Sequence, residues 1–449
     1  MSTFSGMSNL PFMILAHGGA RSTHLAKLHK TKPIIRTGPN SLSFAGGQAI
    51  KDIYGHGTPC IKDESYIVGA GTHFHLADVV DKHEHARKRK VLSSAYALKN
   101  LEGWEYKVAD KVQRMMNHFD KVYTAPLPKG AKFPDPQDVN LDFRAWSNFF
   151  SLDAIADIGL SEKLGLLDQG HDRVEAQQTC GTVYKANLRE CLYPTARKQS
   201  YLLWTYYHYK LLNKISNIIP FYRKMSESAK GWDDIVLRRA QIRLDRYQKG
   251  EKLDDFFQAL MEDKNGNSHE LEWGRLVMEL LRQELDSILE PDEVVAPYEK
   301  VKHLPYLRAC LDESLRLWPP TPQNLGRQTP PEGLTIMGQY IPGNTSVGVS
   351  ALVAHRDESI YPESEKFIPE RFLGEKGKEL QSHFITFSAG ARGCIGRNIS
   401  YLEQAVCLAS IVHRYDFALP AGFELKREET MNHILGPMPV KVWKRNLEE

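Results

Sequence analysis

Cys394 lies in the most constrained stretch of the chain, Phe387-Ser-Ala-Gly390-Ala-Arg392-Gly-Cys394-Ile-Gly396. Counted from the cysteine, Phe stands at −7, Gly at −4, Arg at −2 and Gly at +2. Gly390 permits a tight turn that a side chain would obstruct. Beyond the cysteine, Ile399, Leu402, Val406 and Ala409 recur at helical spacing. The loop therefore feeds a helix whose N-terminal end lies near the sulfur. The positive end of that helix helps keep a thiol ionised. A lone cysteine would read as one buried thiol in a Gly-rich turn, but a cysteine fixed by four neighbours asks for more.

Upstream, Leu311-Asp-Glu313-Ser-Leu-Arg316 follows Leu304-Pro305 and runs into Trp318-Pro319-Pro320. The prolines frame a short helix. Glu313 and Arg316 stand at i and i+3, on one face of it. By itself such a pair is a solvated contact worth little. Further on comes Phe367-Ile-Pro369-Glu370-Arg371-Phe372. Earlier in the chain, His85 and Arg89 are at i and i+4 in a basic run that also holds Arg87, Lys88 and Lys90. Arg327 follows the helix that carries Glu313.

In this order and spacing, the segments resemble the cytochromes P-450, the haem-thiolate monooxygenases, over roughly residues 33–445. The likeness is closer to filamentous-fungal members of the benzoate para-hydroxylase or trichothecene hydroxylase type. The resemblance implies a mainly α fold with a small β region. It implies haem bound through the Cys394 thiolate, whose electron push favours O–O cleavage. Phe387, Gly390 and Gly396 would shape the loop, Gly396 letting the backbone pass close to the porphyrin. Arg392, Arg89, His85 and Arg327 would hold the haem propionates, which guanidinium groups pair with bidentately. Glu313, Arg316 and Arg371 would interlock beneath the haem as a structural brace. An NADPH-cytochrome P-450 reductase would supply electrons, and dioxygen and an apolar small molecule would be the substrates. The protein would be a monomer at the surface of the endoplasmic reticulum. The leftover basic residues Arg87, Lys88 and Lys90 would lie on the surface, where they can attract an acidic donor.

Composition fits this reading. With 42% hydrophobic and 25% charged residues the chain is ordinary for a globular enzyme. A net charge of +3 gives no case for nucleic-acid binding. The six cysteines show no paired spacing and read as reduced thiols. Residues 33–449 read as one haem-binding domain and 1–32 as an atypical N-terminal segment. The longest early apolar run covers only 10–16, well short of the ~18–20 residues a membrane span needs. No anchor is therefore expected in this chain.

The family carries a long helix across the distal haem face, with an acid and a Thr at its middle that help protonate iron-bound dioxygen. Here no Thr lies between Thr205 and Thr321. Residues 269–279 look like the start of that helix and 281–289 like the next one, so the distal helix reads as shortened by a deletion near 279–281. The apolar stripe Val277, Leu281, Leu285 and Ile288 would let the join form one continuous helix. Rival readings are a catalytically impaired haem-binding protein or splice product, or a haem-thiolate isomerase or dehydratase, which needs no distal Thr. Elsewhere, 33–44 reads as a first strand, 48–74 as a mobile region over the pocket, 125–138 as a Pro-rich surface loop and 335–349 as short strands. The aromatic-rich stretch 201–222 reads as core or as channel wall.

Overall fold

The computed structural model describes residues 7–69, 76–93, 102–123, 141–178, 180–203, 208–249, 251, 281–282, 284–420 and 423–445. Helices dominate. They include α1 (Leu10–His17), α2 (Arg21–His29), α3 (Gly47–Tyr54), α4 (Lys82–Ser93), α5 (Glu105–His118) and α6 (Phe143–Leu160). They continue with α7 (Leu188–Leu202), α8 (Pro220–Gln248), α9 (Pro305–Leu317) and α10 (Arg397–Arg414).

Helix α10 carries the apolar period that follows Cys394. Ile399, Leu402, Val406 and Ala409 are all buried, as are Tyr401, Ala405 and Val412 on its other faces. Burial runs nearly all round the helix and takes in Glu403, Gln404 and His413 as well, as befits a central position, and α10 packs against both α5 and α9. On α5 the buried stripe is Val108, Val112, Met115 and Met116. Helix α9 begins at Pro305, where a missing N–H costs nothing, and stops ahead of Pro319-Pro320. Helix α6 is capped by Asp142, whose carboxylate accepts the Ala145 N–H at 3.3 Å, and it ends on a left-handed Ser161.

One mixed sheet lies beside this helical body. Its strands are β1 (Ile34–Gly38), β2 (Ser41–Phe44), β3 (Ile61–Lys62), β4 (Arg327–Gln328) and β5 (Ser346–Val349), in spatial order β1-β2-β5-β4-β3. The stretch 33–44 is thus a hairpin around Pro39-Asn40 rather than a single strand. Residues 48–69 form α3, β3 and a 3-10 turn, with Ile50, Ile53 and Tyr54 in the core beneath the sheet. Their mixed composition hid the amphipathic spacing of α3. Short strands at Leu334–Ile336 and Gln339–Ile341, with β5, fill the stretch read as strands.

Helices α1 and α2 are bound into the body of the protein. Phe12 and Leu25 pack with Val353, and the Ser22 N–H and hydroxyl both donate to the Glu429 carboxylate. Tyr201, Phe221 and Tyr222 gather around His17 of α1, with Tyr201 at 4.5 Å between ring centres. They serve packing there. Among the described residues of that stretch, Leu203 lines the cavity, with Gln199 just ahead of the stretch beside it. Among the described residues, no helix is long and apolar enough to cross a membrane.

Residues 70–74 of the expected region over the pocket, residues 204–207, the Pro-rich 125–138 and the segment 252–280 lie outside the described residues. The expected shortening of the distal helix near 279–281 falls there. Just after it, Leu281, Leu285 and Leu289 are buried in the main core, and Glu284 accepts the Tyr306 and Leu307 N–H groups at the start of α9.

Candidate functional site

The cysteine loop is a tight reversal between α3 and α10. The Cys394 N–H donates to the Phe387 carbonyl at 2.6 Å, and Gly393 N–H to the Gly390 carbonyl at 3.1 Å. Ser388 and Gly390 take φ of +59° and +62°. At Gly390 a Cβ would collide with the Tyr54 carbonyl oxygen at the end of α3, so only glycine fits without movement. Phe387 is buried, its ring 5.4 Å from that of Tyr401 on α10. Gly396 is the N-cap of α10, at an ordinary φ of −76°.

Cys394 keeps an exposed face, and that face opens onto a cavity of about 460 Å³. The expected pull of the helix end on the sulfur is present through the Gly396 and Arg397 backbone groups. It does not win in this environment. Enclosure by the surrounding protein pushes the thiol above its ordinary value, with Arg89 and Arg397 opposing that rise only in part. A coordinated metal cation reverses this balance, because a metal-bound thiol gives up its proton.

The same cavity is lined by Arg392, Arg89, His85, Arg327 and Lys62. Arg392 reaches from the cysteine loop to donate to the Val79 and Val80 carbonyls, at 3.0 and 3.1 Å. Arg89 on α4 donates to the Gly393 carbonyl at 2.6 Å, tying α4 to the loop. Arg327 on β4 is 3% exposed, lies 4.9 Å over the Tyr54 ring and donates to the Gly326 carbonyl. Among the described residues, none of Lys62, Arg89, Arg327 and Arg392 makes an ion pair with a carboxylate. Burial, with Arg327 beside it, pulls the Arg392 guanidinium below its ordinary value. His85 is buried against the same group. Desolvation first, then Arg392 and Lys62, push its imidazole down to about 3, so it is neutral at ordinary pH.

Buried like charges are costly unless an opposite charge joins them. The cavity is therefore the electrostatic complement of a ligand that carries carboxylates and reaches the Cys394 sulfur. The rest of the lining is mixed: Leu42, Leu203, Leu325, Val347 and Ile395 supply apolar patches, beside polar residues and the carboxylates of Asp63 and Asp78.

Glu313, Arg316 and Arg371 stand apart from the cavity and form a closed cluster of their own. Arg316 grips Glu313 with two bonds, 2.6 and 2.9 Å, and Arg371 adds a third at 3.1 Å. The Ile368 N–H donates to the same carboxylate at 2.8 Å. Arg316 spends its other donors on the His355, Ser364 and Lys366 carbonyls. Arg371 donates to the Pro362 and Glu363 carbonyls, so the two arginines together pin the 355–371 segment to α9. Thr386, next to Phe387, donates to the Leu315 carbonyl of α9 at 3.0 Å, which links this cluster to the cysteine loop.

Sequence reasoning missed Lys62. It belongs to no motif, and a lysine in a two-residue strand carries no pattern. Its pairing with Arg327 across the ladder is visible only once the sheet is formed. Arg87 and Lys88 lie on the outer side of α4 and pair with Glu84.

Residues 274–443 match the family model described as Cytochrome P450. A cytochrome P450 monooxygenase of Fusarium pseudograminearum is 27% identical over 420 residues, covering 86% of this chain and 69% of its own. A cytochrome P450 monooxygenase of Stereocaulon alpinum is 26% identical over 459 residues, covering 93% and 84%. A benzoate 4-monooxygenase of Aspergillus niger is 24% identical over 456 residues, covering 92% and 86%.

Proposed function

We infer that this chain, a member of the cytochrome P450 family, is a haem-thiolate monooxygenase that inserts one oxygen atom of dioxygen into a small apolar molecule, aromatic or terpenoid-like. The family carries haem on a cysteine thiolate. One observation carries the reading: Cys394 opens onto the cavity that also gathers Arg89, Arg327 and Arg392, none paired with a carboxylate among the described residues. Bound there, haem supplies the iron at which dioxygen is reduced, with electron push from the thiolate.

The chain's own residues do the rest. Arg392, Arg89 and Arg327 take the propionates as charge-assisted donors. His85 adds a further hydrogen-bonding group beside them. The Phe387–Cys394 reversal and Gly390 fix the sulfur, and the Glu313 cluster holds the loop from behind. The apolar patches of the wall, Leu42, Leu203, Leu325, Val347 and Ile395, offer contact to an apolar substrate. The similarity to a benzoate 4-monooxygenase supports a small aromatic one. Electrons come from an NADPH-dependent P450 reductase.

The test is to express the chain with such a reductase and supply small aromatic and terpenoid candidates under isotope-labelled dioxygen. One labelled oxygen in the product is expected, together with the long-wavelength Soret band of the reduced carbonyl complex. Loss of that band in Cys394→Ala is also expected. Its retention in that variant would move the ligand elsewhere, and product without label would refute the monooxygenase reading.

A further inference from the structure

Lys62 is directly opposite Arg327 in the antiparallel ladder of β3 and β4. Like charges facing each other across a ladder are destabilising. Here both are also buried, Lys62 at 7% exposure. The ammonium donates to the Ala77 carbonyl at 2.6 Å and to the Leu76 carbonyl at 3.3 Å, and it lies 4.9 Å over the Tyr66 ring. These contacts orient the charge without neutralising it. The neighbouring charged groups are Arg392, Arg327 and Arg89, with Asp78 opposing them. Among the described residues no carboxylate forms an ion pair with Lys62. Asp63, next in sequence, gives one oxygen to the Ser65 N–H instead. Burial first, then Arg392 and Arg327, pull the ammonium down to about 7. The fold thus holds a cation at a place that disfavours it, in the cavity that Cys394 faces.

Resting on the haem reading above, we propose that Lys62 is a fourth cationic contact of the haem carboxylates, facing them together with Arg89, Arg327 and Arg392. A cofactor with two carboxylates relieves the repulsion between Lys62 and Arg327, and Lys62 in turn slows cofactor loss. The competing role is mechanical. In that case Lys62 only ties the Leu76-Ala77 backbone to β3, and charge does not matter.

The experiment measures haem loss from ferric holoenzyme to an excess of a haem-scavenging apoprotein, and the haem propionate bending band by resonance Raman. Three variants are compared with the parent chain. Lys62→Gln keeps donors for the two carbonyls but removes the charge, Lys62→Arg keeps the charge, and Lys62→Met removes both. Gln and Met are expected to speed haem loss on the order of tenfold or more, as befits a charged hydrogen bond, and to shift the propionate band. Arg is expected to restore both. Should Met not fold, Gln and Arg still decide. Parent-like haem loss and an unshifted band in Lys62→Gln would overturn the proposal in favour of the mechanical role. A parent chain that takes up no haem would instead overturn the haem reading, and this proposal with it.

Discussion

Arg316 and Glu313 sit three residues apart on α9 with neither side chain exposed, joined by bonds of 2.6 and 2.9 Å. A pair at this spacing on a surface contributes tenths of a kcal/mol. Here both side chains are fully buried and the arginine also serves three backbone carbonyls, so removing one partner strands a buried charge. Glu313→Ala is expected to cost roughly 3–5 kcal/mol. It should appear as a large drop in the unfolding midpoint and in the yield of haem-loaded protein. Normal haem content and an unmoved midpoint would mean the cluster does not brace the loop.

Gly390 and Gly57 both take positive φ, +62° and +84°, but they differ in space. A Cβ at residue 57 meets nothing within 4 Å, whereas at residue 390 it meets the Tyr54 and Gly55 backbone. Gly57→Ala should cost about 1–2 kcal/mol, the left-handed backbone penalty alone. Gly390→Ala should cost clearly more and should also disturb the Soret spectrum, because the loop that carries Cys394 must move. Equal losses in denaturant titrations of the two variants would refute the role given to Tyr54.

The parts of this site that a sequence shows are those written in local spacing. The turn at Gly390, the helix after Cys394 and the i,i+3 pair on α9 depend on residues a few positions apart. Sequence order alone brought Arg371 to Glu313, through a resemblance rather than through physics. Lys62 shows the limit. Its meaning comes from a ladder that joins residues 62 and 327, and no local pattern anticipates a pairing across 265 positions. The hairpin at 33–44 was hidden for a related reason, since a continuous β-prone stretch does not show where the chain turns. Electrostatics was the least legible. Spacing pointed to an ionised thiol at a helix end, but burial, which depends on the whole fold, pushes the thiol upward.

The absence of Thr between Thr205 and Thr321 bears on coupling. The sequence that leads into Leu281 therefore supplies no Thr of the kind the family resemblance implies for the distal helix. We expect the chain as written to couple NADPH oxidation to product poorly and to release hydrogen peroxide. The measurement compares NADPH consumed, peroxide and product for this chain and for one with a family-like distal segment inserted after Glu279. Equal, tight coupling in both would show that another group delivers protons.

Acid should destabilise the fold through buried histidines. His355 accepts the Ile385 N–H on Nε2 at 3.0 Å and stacks on Phe384 with ring planes 13° apart. Burial first, then Arg316, push its imidazole down to about 3 from the ordinary 6.5. Burial likewise takes His85 to about 3 and His433 to about 4. The folded protein therefore keeps these rings neutral while the unfolded chain protonates them near 6.5. Between those values the unfolded state binds more protons, so stability falls as pH drops through about 6.5 and goes on falling towards about 3; above about 6.5 these groups contribute no slope. His355→Gln retains an acceptor for Ile385 but cannot titrate. Its denaturation midpoint should therefore fall less than the parent's between pH values near 7 and near 4.5. Parallel losses in the two proteins would show that His355 is not part of the acid sensitivity.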